Sequence, residues 1–120
     1  MFNLAKVKLS KAKAQTLKMA ITTADIAVLG AGSYGSALAI CLARNGHKTL
    51  LWGHNHSHIA QLTLDNSNEK YLPGATFPRS LRVSDNLAEV VAAATTLLVV
   101  VPSFAFAGML TELKPLLSKE

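Results

Sequence analysis

Residues 26–39 read Ile26-Ala27-Val28-Leu29-Gly30-Ala31-Gly32-Ser33-Tyr34-Gly35-Ser36-Ala37-Leu38-Ala39. A short apolar run closes on a glycine, a G-x-G-x-x-G spacing follows, and small and apolar residues continue beyond it. The run has the length and composition of a buried strand, expected over 25–29. The segment 36–45 is apolar at Ala37, Leu38, Cys41 and Leu42, which predicts a helix with those residues inward. Arg44 suits the negative end of that helix, and Gly46 stands where a left-handed cap would stop it. Each glycine has a separate physical use. Gly30 permits the tight turn off the strand. Gly32 has no Cβ, so a pyrophosphate can come close to the backbone. Gly35 lets the helix lie against the sheet. The N–H groups of the first helical turn, near Ser33 to Ser36, would then face the phosphates. A bare G-x-G-x-x-G means little, but one set between a strand and a helix is the fingerprint of a dinucleotide site. The competing reading is a glycine-rich turn with no ligand.

The pattern repeats outward. Strands are expected over 49–52 and 97–101, both short and mostly apolar or β-branched, and a short strand is possible over 81–83. Helices are expected over about 57–66, with Ile59 and Leu62 inward, and beyond Ser84 or Asp85, either of which can cap a helix bearing Leu87, Val90, Val91 and Ala94. A last helix carries Phe106, Met109, Leu110 and Leu113 on one face and ends near Lys114, before Pro115. Residues 66–80 are rich in Asn, Pro, Gly and Ser and read as a loop. Strand and helix alternate four times. The fold class is therefore α/β, a Rossmann-type doubly wound parallel sheet that stops before completion, since the chain ends as a fifth strand is due.

Composition narrows the function. The chain has 120 residues, half of them apolar and 16% charged, which is one domain with a buried core. A single cysteine excludes a disulfide framework and a Cys-based zinc site. The net charge is +5, but residues 1–18 hold five lysines and no acid, while residues 19–120 hold seven basic and seven acidic residues. The basicity belongs to the extension and not to the domain, so no nucleic acid partner is expected. Residues 1–18 are read as a disordered, dispensable basic extension. They have no signal-peptide core and no arginine, which disfavours a transit peptide, and Met19 reads like an ordinary start running into a strand. Residues 19–120 are read as the domain. Residues 90–111 are uncharged, but Thr95, Thr96, Pro102 and Ser103 interrupt them, so no membrane span is expected.

Several polar residues have two readings. Ser33 could donate to a phosphate oxygen or cap the helix. Tyr34 could lie against the ribose and nicotinamide side of a cofactor or pack on the surface. Pro102 and Ser103 fall at the C-terminal strand edge, which lines the ligand crevice in an open α/β sheet, or form a plain turn. Cys41 reads as a small buried hydrophobe. His54, His56 and His58 do not share a face, so no metal site is expected; His47 reads as a solvated loop residue. NAD-specific domains place a carboxylate about 20 residues past the glycine loop, on the ribose hydroxyls. Here that position is His54-Asn55, and the next acid downstream, Asp65, is too far along. Imidazole and amide can both donate to a 2′-phosphate. NADPH is therefore expected to be accepted and preferred, with NADH tolerated because no arginine enforces the choice. The alternative is that His54 only caps the next segment.

Four segments together resemble the start of the bacterial-type NAD(P)-dependent sn-glycerol-3-phosphate dehydrogenases: residues 26–39, Leu51-Trp-Gly-His54, Asn68-Glu-Lys-Tyr-Leu-Pro-Gly74 and Leu98-Val-Val-Val-Pro-Ser103. They follow the family's order and spacing from about residue 24 to 117. The resemblance implies hydride transfer between NAD(P)H and dihydroxyacetone phosphate, giving sn-glycerol 3-phosphate for phospholipid synthesis in the cytoplasm, with cofactor contacts on Ser33, Tyr34 and His54. A homodimer is compatible with it. The family's catalytic lysine and helical substrate domain come after the last helix of this chain. No catalytic residue is therefore expected among the 120, and the chain alone is expected to be inactive. Two other functions fit a dinucleotide-binding domain: a non-catalytic sensing module, and a Rossmann dehydrogenase acting on another hydroxy compound.

Overall fold

The computed structural model describes residues 2–8 and 23–117. A five-stranded sheet is built from β1 (Phe2–Lys8), β2 (Ala24–Leu29), β3 (Thr49–Trp52), β6 (Leu81–Ser84) and β7 (Ala94–Pro102), in the order β1-β7-β2-β3-β6. The β2/β3, β2/β7 and β3/β6 pairs are parallel. Between them run helices α1 (Ser33–Arg44), α2 (His56–Asp65) and α3 (Leu87–Ala93), and α4 (Ser103–Leu113) follows β7. A small antiparallel pair, β4 (Ser67–Asn68) with β5 (Leu72–Thr76), stands apart from the main sheet.

The central strands are mostly apolar, as at 26–29, 50–52 and 97–101, because both their faces are covered there. Successive side chains alternate between faces, and the core divides accordingly. Leu29, Leu50, Trp52, Leu97 and Val99 pack with Val90, Val91, Met109 and Leu113 of α3 and α4. Val28, Leu51 and Val100 point the other way, onto Ala39, Ile40 and Ala43 of α1 and Ile59 and Leu62 of α2. This is the expected doubly wound α/β architecture, with its strands where the apolar runs put them.

The differences are local. Helix α1 begins at Ser33, a turn earlier than its apolar pattern indicated. Its buried stripe is Gly35, Ser36, Ala39, Ile40 and Ala43, and Leu38 and Leu42 only flank it. Cys41 is therefore exposed and not inward. Asn86, rather than Ser84 or Asp85, caps α3, its side chain accepting from the Glu89 N–H at 3.1 Å. Ala94 opens β7 and does not belong to the helix. Leu110 is exposed while Met109 and Leu113 are buried. The stretch read as loop contains the β4–β5 pair, which Phe77 anchors from the core.

The largest difference lies at the start of the chain. Phe2–Lys8 was expected to be part of a disordered extension; instead it forms β1, antiparallel to β7, with Phe2 opposite Pro102 and Lys8 opposite Thr96. An uncovered β7 edge would present unpaired N–H and C=O groups, and β1 supplies their partners. The remainder of the expected extension, Met1 and residues 9–18, lies outside the described residues.

Candidate cofactor site

The glycine loop leaves β2 at the C-terminal edge of the sheet, and its shape follows from three tight approaches. The Gly30 N–H donates to the Trp52 carbonyl at 2.8 Å, tying the loop to β3. Gly30 has φ +130°, and a Cβ there would stand 1.8 Å from the Val100 carbonyl oxygen of β7. No other residue type could hold that backbone in that space. A Cβ on Gly35 would lie 1.8 Å from the Gly30 carbonyl oxygen, so this glycine lets the helix start fold back onto the loop itself. Gly32 differs from both, since a Cβ there would meet nothing within 4 Å. Its missing side chain relieves no contact inside the protein and leaves open space on the outer side of the loop.

Gly32 is also the N-cap of α1, with no side-chain hydrogen bond capping the helix and no acidic residue in the first turn. Ser33 is thus the first helical residue and not the cap. Ser33 and Tyr34 are both exposed on the turn above the sheet edge. A helix end built this way presents backbone donors and a positive dipole end outward. Those are the donors a pyrophosphate needs.

The second wall comes from the end of β3. His54 is exposed, and it does not cap the following helix. That role belongs to Asn55, whose side-chain oxygen accepts from the His58 N–H at 2.9 Å. The amide NH2 of Asn55 is not used by that bond. The three histidines go to different neighbours. His54 faces outward, His56 Nδ1 contacts the Asp85 carboxylate, and His58 turns into the fold. The Gly53 N–H donates to the Ser84 carbonyl at 3.2 Å, which sets the end of β6 beside the end of β3. The structure therefore brings an acid, Asp85, to the neighbourhood of His54-Asn55, where the sequence has none nearby. Sequence reasoning missed it because the two residues meet through sheet order. The available signal was that Asp85 directly follows the short strand expected over 81–83 and so sits on the same edge.

Pro102 ends β7 and is the N-cap residue of α4, and Ser103 is its first helical residue; both are exposed. They stand on the strand that carries Val100, the residue touching Gly30. The structure thus gathers Gly30, Gly32, Ser33, Tyr34, Gly35, His54, Asn55, Pro102 and Ser103 along one edge of the sheet. A cavity of about 500 Å³ lies elsewhere, along the α3 flank of β3 and β6 beside Leu50, Val83, Ser84 and Glu89.

Behind the glycine loop lies a second element that sequence reasoning passed over. Asn68 of β4 is completely buried. Its Nδ2 donates to the Ala31 carbonyl at 3.0 Å and to Ser36 Oγ at 2.7 Å. His58, half-buried, sits with Nε2 3.1 Å from Asn68 Oδ1 and its ring edge-on to Tyr71 at 5.3 Å. In the sequence, residues 68–74 stand out only as a segment of family resemblance.

Comparison with known proteins agrees with this geometry. The family described as NAD-dependent glycerol-3-phosphate dehydrogenase N-terminus matches residues 25–120. The chain belongs to that family. Among its relatives, the glycerol-3-phosphate dehydrogenase [NAD(P)+] of Colwellia psychrerythraea is 57% identical over 96 residues, covering 80% of this chain and 29% of that protein. The protein of the same description from Shewanella sp. strain MR-4 is 54% identical over 98 residues, covering 82% and 29%. The crystal structure of glycerol-3-phosphate dehydrogenase from Coxiella burnetii superposes with TM-score 0.74 at 39% identity, over 80% of this chain and 30% of that one. A glycerol-3-phosphate dehydrogenase from Saccharomyces cerevisiae shares the fold at TM-score 0.65 and 19% identity. The chain spans about 29% of the length of the curated relatives it matches. It corresponds to the N-terminal, dinucleotide-binding part of the family, whose cofactor is a nicotinamide dinucleotide. No helix among the described residues is long and apolar enough to cross a membrane.

Proposed function

We propose that this chain is the cofactor-holding part of a cytoplasmic glycerol-3-phosphate dehydrogenase that reduces dihydroxyacetone phosphate with NADPH, giving sn-glycerol 3-phosphate for glycerophospholipid synthesis. The observation that carries the reading is the open notch at Gly32 on an uncapped helix N-terminus. The open space beside Gly32 suits a pyrophosphate, and the first-turn donors and helix dipole oppose its charge. When bound, the nicotinamide supplies the hydride. This chain's residues bind and orient: Ser33 offers a hydroxyl to a phosphate oxygen, Tyr34 covers the ribose, and Pro102-Ser103 border the nicotinamide side.

His54 and the free NH2 of Asn55 can donate to a 2′-phosphate. Asp85 would repel that phosphate, but its carboxylate is engaged by His56. This supports a preference for NADPH with NADH tolerated. The chain spans about 29% of the length of its relatives, and this reading assigns catalysis to the remainder of such a protein, which would act as a homodimer.

The test is a pair of assays on the purified chain. Fluorescence titration should show saturable NADPH binding, tighter than NADH. Mixing the chain with NADPH and dihydroxyacetone phosphate should give no oxidation of NADPH. Absence of NADPH binding by the folded chain would refute the cofactor assignment, and turnover of dihydroxyacetone phosphate would refute the division of labour.

A further inference from the structure

Asn68 is a fully buried polar residue outside the glycine loop, and every hydrogen-bonding position of its side chain is used. The Nδ2 hydrogens go to the Ala31 carbonyl and Ser36 Oγ. The Oδ1 atom accepts from the Tyr71 N–H at 3.3 Å and faces His58 Nε2 at 3.1 Å. An amide has two donor hydrogens and an oxygen with two lone pairs, so the set is complete. With Oδ1 as acceptor, His58 must carry its hydrogen on Nε2.

The partners of Nδ2 are informative. Ala31 lies between Gly30 and Gly32, and Ser36 lies on the first turn of α1. The Ala31 carbonyl and the Gly32 N–H belong to one peptide plane and, in a trans peptide, point in opposite directions. Holding the carbonyl inward on Asn68 therefore aims the Gly32 N–H away from Asn68, on an exposed residue where an added Cβ would also find open space. Rotation of this peptide turns ψ of Ala31 and φ of Gly32, and the glycine side offers little intrinsic resistance. From these contacts we infer that Asn68 is a positioning residue for pyrophosphate recognition: it locks the Ala31–Gly32 peptide with its N–H facing the ligand, and His58 and Tyr71 hold the amide of Asn68 in the required orientation. The inference rests on the reading that the glycine loop receives a dinucleotide.

The test compares two ligands on the full 120-residue chain. NADPH carries the pyrophosphate, and adenosine 2′-monophosphate lacks it. Asn68→Asp keeps the size but turns an oxygen toward the Ala31 carbonyl. It should weaken NADPH at least about tenfold, as expected for loss of an aligned donor to a charged group, and change adenosine 2′-monophosphate less than about twofold. His58→Phe keeps the edge contact to Tyr71 and removes only the donor, so it serves if the Asp variant does not fold; it should weaken NADPH about threefold with the same ligand selectivity. Unchanged NADPH affinity in a folded variant, or parallel loss of both ligands, would overturn the positioning role. A wild-type chain that binds neither ligand would instead overturn the reading of the loop, and the inference with it.

Discussion

Gly30 lies against Val100 so closely that a Cβ on the glycine would stand 1.8 Å from the valine's carbonyl oxygen. This single approach joins the glycine loop to the strand ending in Pro102-Ser103, and so brings the two sides of the candidate crevice together. Alanine at position 30 must both strain φ and push β7 aside. Gly30→Ala should destabilise the chain by about 2–4 kcal/mol, the sum of a strained dihedral and a displaced backbone. Urea unfolding measures it; a loss below about 1 kcal/mol, the centre of the distribution for ordinary substitutions, would show that the loop relaxes without consequence.

Strand β1 was not foreseen, and its removal has an outcome opposite to that of a dispensable tail. Deleting residues 1–18 uncovers the β7 edge from Thr96 to Pro102. The melting temperature should fall by several degrees, as for a loss of about 1 kcal/mol in a domain this size, and the shortened chain should self-associate through the open edge. A monomer with unchanged melting would mean that the pairing contributes nothing in solution.

The contact between His56 and Asp85 bears on cofactor choice. Removing the imidazole with His56→Ala releases the Asp85 carboxylate beside His54-Asn55. The ratio of NADPH to NADH affinity should then fall, by about three- to tenfold for one unscreened carboxylate near a 2′-phosphate. The double variant His56→Ala/Asp85→Asn should restore it. Titrations with both cofactors decide this, and an unmoved ratio would place the 2′-phosphate away from the β6 end.

Much of the architecture was legible because parallel strands buried on both faces leave unbroken apolar runs, as at 26–29, 49–52 and 97–101. The glycine loop was legible because its residues are consecutive. What escaped depends on contacts distant in the sequence. Asn68 reaches Ala31 across 37 residues and Ser36 across 32. Asp85 reaches the β3 end only because β6 is next to β3 in the sheet. The inward stripe of α1 was misassigned because apolarity alone suggested Cys41, whereas the buried positions include the small residues Gly35, Ser36 and Ala39. Close packing of a helix on a loop selects for small size as much as for apolarity.

In the proposed function, the space outside Gly32 receives a dinucleotide pyrophosphate. Gly32→Ala probes it, because an added methyl there meets no atom within 4 Å beyond its immediate chain neighbours and so acts mainly on a ligand. Wild-type and variant chains should melt within a few degrees of each other, since an N-cap glycine-to-alanine change costs about 1 kcal/mol or less. NADPH titration should give one-to-one binding by the wild type and at least about tenfold weaker binding by the variant. Equal affinities in two equally folded proteins would contradict the account.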